Sequence, residues 1–365
     1  VARAEARTLM AADVEASAIA DRLQHAAAVA RRVRPGQLCE SWYLFAGHRV
    51  RLRVVGRALA AHMQQPFSHL AIAQQPDTAA DLTIDLWDEQ ETGVLCPTGL
   101  TDTKDLPIRT AGGLLTYADD GRLAQFSRPA STTWLLREAG QIIGWRADGE
   151  NLSFFERRRP LPVLLALWYY DRGIYCVHAG LTAREGRGVL LPGVSGAGKS
   201  TAVLACLAAG FDFLGDDEVG VQRLPDGSFA GHSITNSVHL DRQQFSRFPQ
   251  LEPFARYSEE PGEVKAVLPL SQIAPERLKQ QVPIRAIALP RIIDGVRCRI
   301  RPATRGEALR TMGTSTLLKS PLGIGAPGLK QLAHLVQEAP SFWLELGQDL
   351  TTIPVCLDDV LSCTE

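Results

Sequence analysis

The chain has 365 residues, 45% of them apolar and 22% charged, which is enough to bury a large core and suggests two domains rather than one. Lys and Arg number 39 against 40 Asp and Glu, a formal net charge of −1, so no long-range field draws the protein to a nucleic-acid backbone or an anionic membrane. The seven cysteines, odd in number and without a C-x-x-C pair, argue against a disulfide framework or a zinc site and fit a reducing cytoplasm.

The first 23 residues carry acidic side chains every few positions and no uninterrupted apolar stretch, so they are not read as a signal peptide. No run elsewhere approaches the length of a bilayer span, and a soluble protein is expected. Residues 2–33 combine Ala, Leu, Arg and Glu in a helix-prone pattern that Pro35 and Gly36 stop, as a leading helix or a loosely attached arm. Residues 42–45 and 50–55 read as strands joined through Ala46 and Gly47, residues 57–63 as a short helix, and residues 82–87 as an alternating strand. Residues 92–150 are rich in Gly, Thr and Asp with short β-like runs, so the region is expected to be mainly β or α+β.

Pro160 and Pro162 open an apolar helix reaching Tyr170, placing their missing amide hydrogens in its first turn. Residues 174–181 and 189–191 are apolar runs bounded by glycine, as buried strands are. Residues 201–209 follow as a helix that Gly210 stops, and residues 211–214 as the next strand. Strands are expected at 284–289, 297–300 and 342–346. Helices are expected at 304–312, behind a Thr304/Glu307 capping box, and at 327–338.

Gly193, Val194, Ser195, Gly196, Ala197, Gly198, Lys199 and Ser200 satisfy G-x-x-x-x-G-K-[ST] between a buried strand and a helix, and Thr201 follows. Glycines let successive amide hydrogens point inward at phosphate oxygens, and the helix N-terminus adds positive potential. In that motif Lys199 reaches the β- and γ-phosphates of ATP and the Ser200 hydroxyl ligates Mg²⁺. The competing reading is an ordinary glycine-rich turn.

Asp216 and Asp217 follow the apolar strand, at the strand end where open α/β sheets place ligands. One carboxylate can hold magnesium beside Ser200, and the other can accept a proton from an attacking hydroxyl. A solvated acidic turn is the plainer alternative.

Three stretches together, residues 177–181, 188–201 and 213–219, resemble the catalytic core of HPr kinase/phosphorylase. So do the fifteen-residue step from His178 to Gly193 and the seventeen-residue step from Lys199 to Asp216. The resemblance implies an α/β fold, a phosphoenolpyruvate carboxykinase-like P-loop kinase core over residues 156–365. Ahead of it would stand an N-terminal helical arm (residues 1–36) and an α+β or β-rich region (residues 37–155). It further implies Asp216 as the catalytic acid/base that activates a serine hydroxyl, Asp217 and Ser200 on the metal, and His178 near the phosphates. A strand histidine satisfied by a neighbour is the other reading of His178.

The E-x-R-G-L-G-type signature of HPr-phosphorylating members does not follow in residues 228–245, so the resemblance does not extend to HPr as substrate or to phosphorolysis. In outline the chain is similar to divergent HPr-kinase-related proteins, some of which phosphorylate a precursor serine in peptide-natural-product pathways such as those for lasso peptides.

The expected activity is an ATP- and Mg²⁺-dependent kinase acting on a hydroxyl, with a peptide or protein acceptor and no nucleic-acid or membrane partner. Lys265 and Arg291 are candidate phosphate or substrate contacts, although isolated basic residues near turns are more often solvated. Arg157, Arg158 and Arg159 read as a charge run beside a hinge, and Cys206 as core. A nucleotide-responsive binding protein that moves no phosphate, and a kinase of a free small molecule such as an amino acid, are the alternatives. Homo-oligomerisation is left open.

Overall fold

The computed structural model describes residues 2–74, 78–97, 107–118, 120–257, 265–319 and 325–363. Residues 98–106 of the Gly-, Thr- and Asp-rich stretch lie outside the described residues. By its internal contacts the chain forms two compact units, residues 1–65 with 70–168, and residues 66–69 with 169–365. No described helix is long and apolar enough to cross a membrane.

The first unit is built on a nine-stranded sheet. Its strands are β1 (Leu38–Phe45), β2 (His48–Val55), β3 (Ala71–Ile72), β4 (Leu82–Asp88), β5 (Ile108–Thr110), β6 (Gly113–Ala118), β7 (Leu123–Arg128), β8 (Ser131–Leu136) and β9 (Gln141–Arg146), ordered β3-β1-β2-β4-β9-β8-β7-β6-β5. The expected hairpin between β1 and β2 closes at Phe45↔His48 through Ala46 and Gly47, both at positive φ (47° and 85°), the combination that matches strand twist. Strand β4 is central, parallel to β2 on one side and β9 on the other.

Helix α1 (Ala2–Val33) belongs to this unit: Ile19, Leu23, Ala27 and Ala30 recur on one helical face and share a core with Trp87, Trp134 and Ile143. The short helices α2 (Arg57–Gln64), α3 (Glu89–Thr92) and α4 (Phe154–Arg158) follow, and then α5 (Pro162–Tyr170).

Asp85, in the middle of β4, is 2% exposed. It accepts from Arg31 Nη1 and Arg53 Nη2, each at 2.6 Å, and from Gln141 Nε2 at 2.9 Å. The pattern of β4 therefore hides a charge rather than exposing one face to water, and the charge ties α1 to the sheet.

The second unit is mixed α/β. Its main sheet contains β10 (Ile174–Val177), β11 (Ala179–Arg184), β12 (Arg187–Pro192), β13 (Asp212–Gly215), β14 (Val219–Arg223) and β15 (Phe229–Ser233). A smaller sheet of β16 (Ser237–Asp241), β17 (Arg256–Tyr257) and β18 (Lys265–Pro269) has the order β16-β18-β17. The long β19 (Gln281–Ile292), β20 (Arg299–Pro302) and β21 (Ser341–Leu346) complete the main sheet, whose order is β10-β14-β15-β19-β12-β11-β13, with β21 on β19 and β20 on β21. The helices are α6 (Lys199–Ala208), α7 (Arg305–Lys319), α8 (Gly325–Glu338) and α9 (Thr352–Ser362).

Alternation explains the layering. Val189, Leu191, Ala286 and Ala288 face a core shared with α6 and α9, while Leu190, Ile287 and Leu289 face a second core shared with α7 and α8. Strands covered on both faces read as continuous apolar runs.

Two elements differ from expectation. The run 174–181 is two strands, broken at His178, because β10 pairs with β14 whereas β11 pairs with β12 and β13. Helix α7 runs past Met312 to Lys319; its capping box is present, with Glu307 N–H donating to Thr304 Oγ1 at 3.2 Å and Thr304 N–H to Glu307 Oε2 at 2.8 Å.

Asp85→Asn removes one charge and leaves Arg31 and Arg53 facing each other. The variant should lose about 3 kcal/mol in urea unfolding, whereas Glu138→Gln in the exposed Arg122–Glu138 pair should stay within about 0.5 kcal/mol of the parent.

Candidate active site

Strand β12 ends at Pro192, residues 193–198 turn, and α6 starts at Lys199. Gly196 (φ 83°) and Gly198 (φ 99°) hold the left-handed conformations the turn requires. A Cβ at Gly198 would run into the Leu346 side chain, so this residue also seats the loop against β21. Ala202 N–H closes the first turn of α6 on the Gly198 carbonyl at 2.9 Å, and a helix N-terminus of this kind favours an anion. Lys199 is 6% exposed, and its Nζ donates to the Gly193 and Val194 carbonyls at 2.7 and 3.1 Å.

The acidic pair divides at the end of β13. Asp216 is 2% exposed. Its Oδ2 accepts from Ser200 Oγ at 2.9 Å and from His239 N–H at 3.1 Å, while Oδ1 is buried with no hydrogen-bond partner among the described residues. Burial first, and then the neighbouring Asp217 charge, pushes the Asp216 carboxyl up to about 6.

Asp217 points the other way, as adjacent positions after a strand can. Its side chain is 28% exposed, with Oδ1 at 3.6 Å from His178 Nδ1 and Oδ2 at 3.6 Å from His239 Nδ1. His178 is buried at the break between β10 and β11, where its Nδ1–H donates to the Asp217 carbonyl at 2.7 Å and its backbone N–H to Thr316 Oγ1 at 3.4 Å. It thus touches Asp217 at both its carbonyl and its carboxylate.

A cavity of about 380 Å³ opens beside the loop. Ser195, Lys199, Ser200 and Asp217 line one side; His239, Asp241 and Lys265, from the β16–β18 sheet, face them. Asp241 and Lys265 are directly paired across β16 and β18. Arg291 does not line the cavity. It pairs with Glu345 and stacks over Trp343, 4.8 Å from the ring centroid. Cys206 lies fully buried in α6.

Sequence reasoning missed His239 and Asp241. The signal was present: in residues 238–241 Val238 and Leu240 enter the core while His239 and Asp241 alternate toward the cavity.

The donors at this point are hard oxygens: the Ser200 hydroxyl and the Asp216 and Asp217 carboxylates. Among the described residues no group of three or more His, Cys, Asp or Glu is placed to hold a metal by itself. Magnesium shared with phosphate oxygens and water takes only one or two carboxylates. The unpartnered Oδ1 of Asp216 fits such an ion.

The solved HPr(Ser) kinase/phosphatase of Coxiella burnetii is similar to this chain over 52% of it and 94% of that protein, with 12% sequence identity and a TM-score of 0.27. No family model matches the chain, and no curated protein does.

The Asp216 shift has a sign. The unfolded carboxyl ionises near its ordinary 3.8 and the folded one near 6, so folding is penalised as pH rises from about 4 to 6 and the penalty is complete above that. In magnesium-free buffer Asp216→Asn should therefore melt several degrees above the parent at about pH 8, at roughly 2–4 °C per kcal/mol relieved, and match it near pH 4. Equal melting at both pH values would mean that the carboxylate carries no such burden.

Proposed function

We propose that the second unit is a phosphoenolpyruvate carboxykinase-like kinase core that transfers the γ-phosphoryl group of ATP to a hydroxyl, foremost a serine of a peptide or protein. The observation that carries this reading is the meeting of Ser200 with Asp216 at 2.9 Å, directly at the glycine loop. A lone glycine turn has no reason to bury an acid against its serine. In a phosphate-binding loop that arrangement prepares a magnesium site.

In this reading the backbone of residues 193–201 cradles the phosphates, and Lys199 leaves the Gly193 and Val194 carbonyls to reach them. Ser200 and Asp216 would hold Mg²⁺, which would supply neutralisation of phosphate charge. Asp217 takes the proton of the acceptor hydroxyl, because it and not Asp216 lines the cavity. The resemblance implies the reverse division, with Asp216 as the base and Asp217 on the metal; the burial of Asp216 favours exchanging them. His178 and His239 flank Asp217 and keep its carboxylate turned to the cavity. Transfer then depends on positioning and charge neutralisation more than on covalent chemistry by the protein.

Three variants test the assignment through binding of a fluorescent ATP analogue and transfer of label from γ-labelled ATP to a serine-containing peptide library. Lys199→Ala should weaken nucleotide binding about 30–100-fold, the loss of roughly 2–3 kcal/mol of charge-assisted contact. Asp217→Asn should bind Mg·ATP like the parent and lose about 10²-fold or more in transfer. Asp216→Asn should lose the magnesium dependence of binding. If Asp216→Asn keeps that dependence and loses only transfer, the two roles revert to those of the resemblance. Binding without any label transfer by the parent protein would reject the kinase reading.

A further inference from the structure

Three thiols of the second unit share one core. Cys206 in α6, Cys298 just before β20 and Cys356 in α9 belong to the cluster on the α6 side of the sheet, at 0, 8 and 7% exposure. Backbone geometry brings the last two together. Cys298 N–H donates to Thr352 Oγ1 at 2.9 Å, and Cys356 lies one turn further along the same face of α9. Their side chains hydrogen-bond to each other: that bond holds the Cys356 thiol below its ordinary range, and the same bond followed by burial pushes Cys298 up. The two thiols thus lie in one core, one helical turn from a shared contact at Thr352, where one can act on the other.

The same backbone walls the cavity. Residues 293–296 are laced to residues 346–349 by Ile293 N–H to Leu346 O at 3.0 Å, Gln348 N–H to Gly295 O at 2.9 Å and Asp349 N–H to Val296 O at 2.8 Å. A Cβ at Gly347 would meet Val296 O at 2.5 Å, so the two segments are in close contact. Ile292, Ile293, Gly347 and Gln348 line the cavity, and Leu346 abuts Gly198 of the glycine loop. A shift at the thiol end has little slack before it reaches the loop, because packed interiors do not deform continuously.

We propose that Cys298 and Cys356 form a reversible oxidation site for a hydroperoxide, and that their disulfide resets the cavity wall and weakens nucleotide binding. The Cys356 thiolate attacks the peroxide oxygen; an S–O bond forms, the O–O bond breaks, and the alcohol or water leaves with a proton. The Cys298 thiol then attacks the sulfenic sulfur; the S–S bond forms, the S–O bond breaks, and water leaves with the thiol proton. Two thiols give up two electrons and the hydroperoxide is reduced. A disulfide at about 2.05 Å is far shorter than a thiol–thiol contact, so it draws the start of β20 toward α9.

The test treats the full chain with stoichiometric hydrogen peroxide. Peptide mapping reads the crosslink, amide exchange reads residues 346–349, and titration reads Mg·ATP affinity. Expected are a Cys298–Cys356 disulfide, exchange at least ~3-fold slower at those amides, and an affinity at least ~5-fold weaker, about 1 kcal/mol. All three should revert with dithiothreitol and be absent in Cys298→Ser and Cys356→Ser. The absence of a crosslink, or a crosslink to Cys206 instead, overturns the site. A correct crosslink with unchanged exchange, or with unchanged affinity in a protein that binds Mg·ATP when reduced, overturns the coupling. The affinity arm rests on the nucleotide reading of the cavity. If the reduced protein binds no nucleotide that reading fails, while crosslink and exchange still decide the site and its hold on the wall.

Discussion

Keeping an acid away from water is costly unless other groups replace the hydration it loses. At Asp216 the replacements are a hydroxyl from the first turn of α6 and an amide from β16, and they are incomplete, since one oxygen has no hydrogen-bond partner among the described residues. The second unit is arranged around this unfinished account. Residues 200, 216 and 239 come from three separate elements, and each must end or begin where it does for the three to meet. The glycine loop sets where α6 starts, β13 stops one residue before the acid, and the small sheet turns the His239 amide inward.

That constraint also separates two neighbouring acids into different environments. Asp216 is enclosed, whereas Asp217 meets the cavity and is bracketed by two imidazoles. A pair of adjacent carboxylates in one environment would repel and titrate together; divided by a strand end, they can serve a metal and a proton separately. The proposed exchange of roles between them follows from this division and from nothing in the motif itself.

The parts that were legible in the sequence are local. The glycine loop, its flanking strand and helix, and the position of the acidic pair after an apolar strand all follow from residues within about two turns or one strand of each other. Lys265 is a candidate contact already in the sequence, but its meeting with His239 and Asp241 was not legible there, because what brings the three to the cavity is pairing between β16 and β18, whose facing residues lie more than twenty positions apart. The break at His178 was hidden for a related reason: an apolar run says that a segment is buried and does not say with which partners it pairs. In the first unit, the alternation of residues 82–87 does not show that Asp85 is enclosed; that follows from Arg31 of α1, Arg53 of β2 and Gln141 of β9 meeting at it.

Strand β19 pairs with β15 near its start, with β12 in its middle and with β21 towards its end. One continuous segment thus serves three neighbours in succession, two of them parallel and one antiparallel. An insertion or deletion within it would have to be accommodated by three registers at once, so sequence drift in this unit should accumulate as substitutions along β19 and as changes of length in turns such as residues 224–228, where a hairpin can grow without disturbing the ladder.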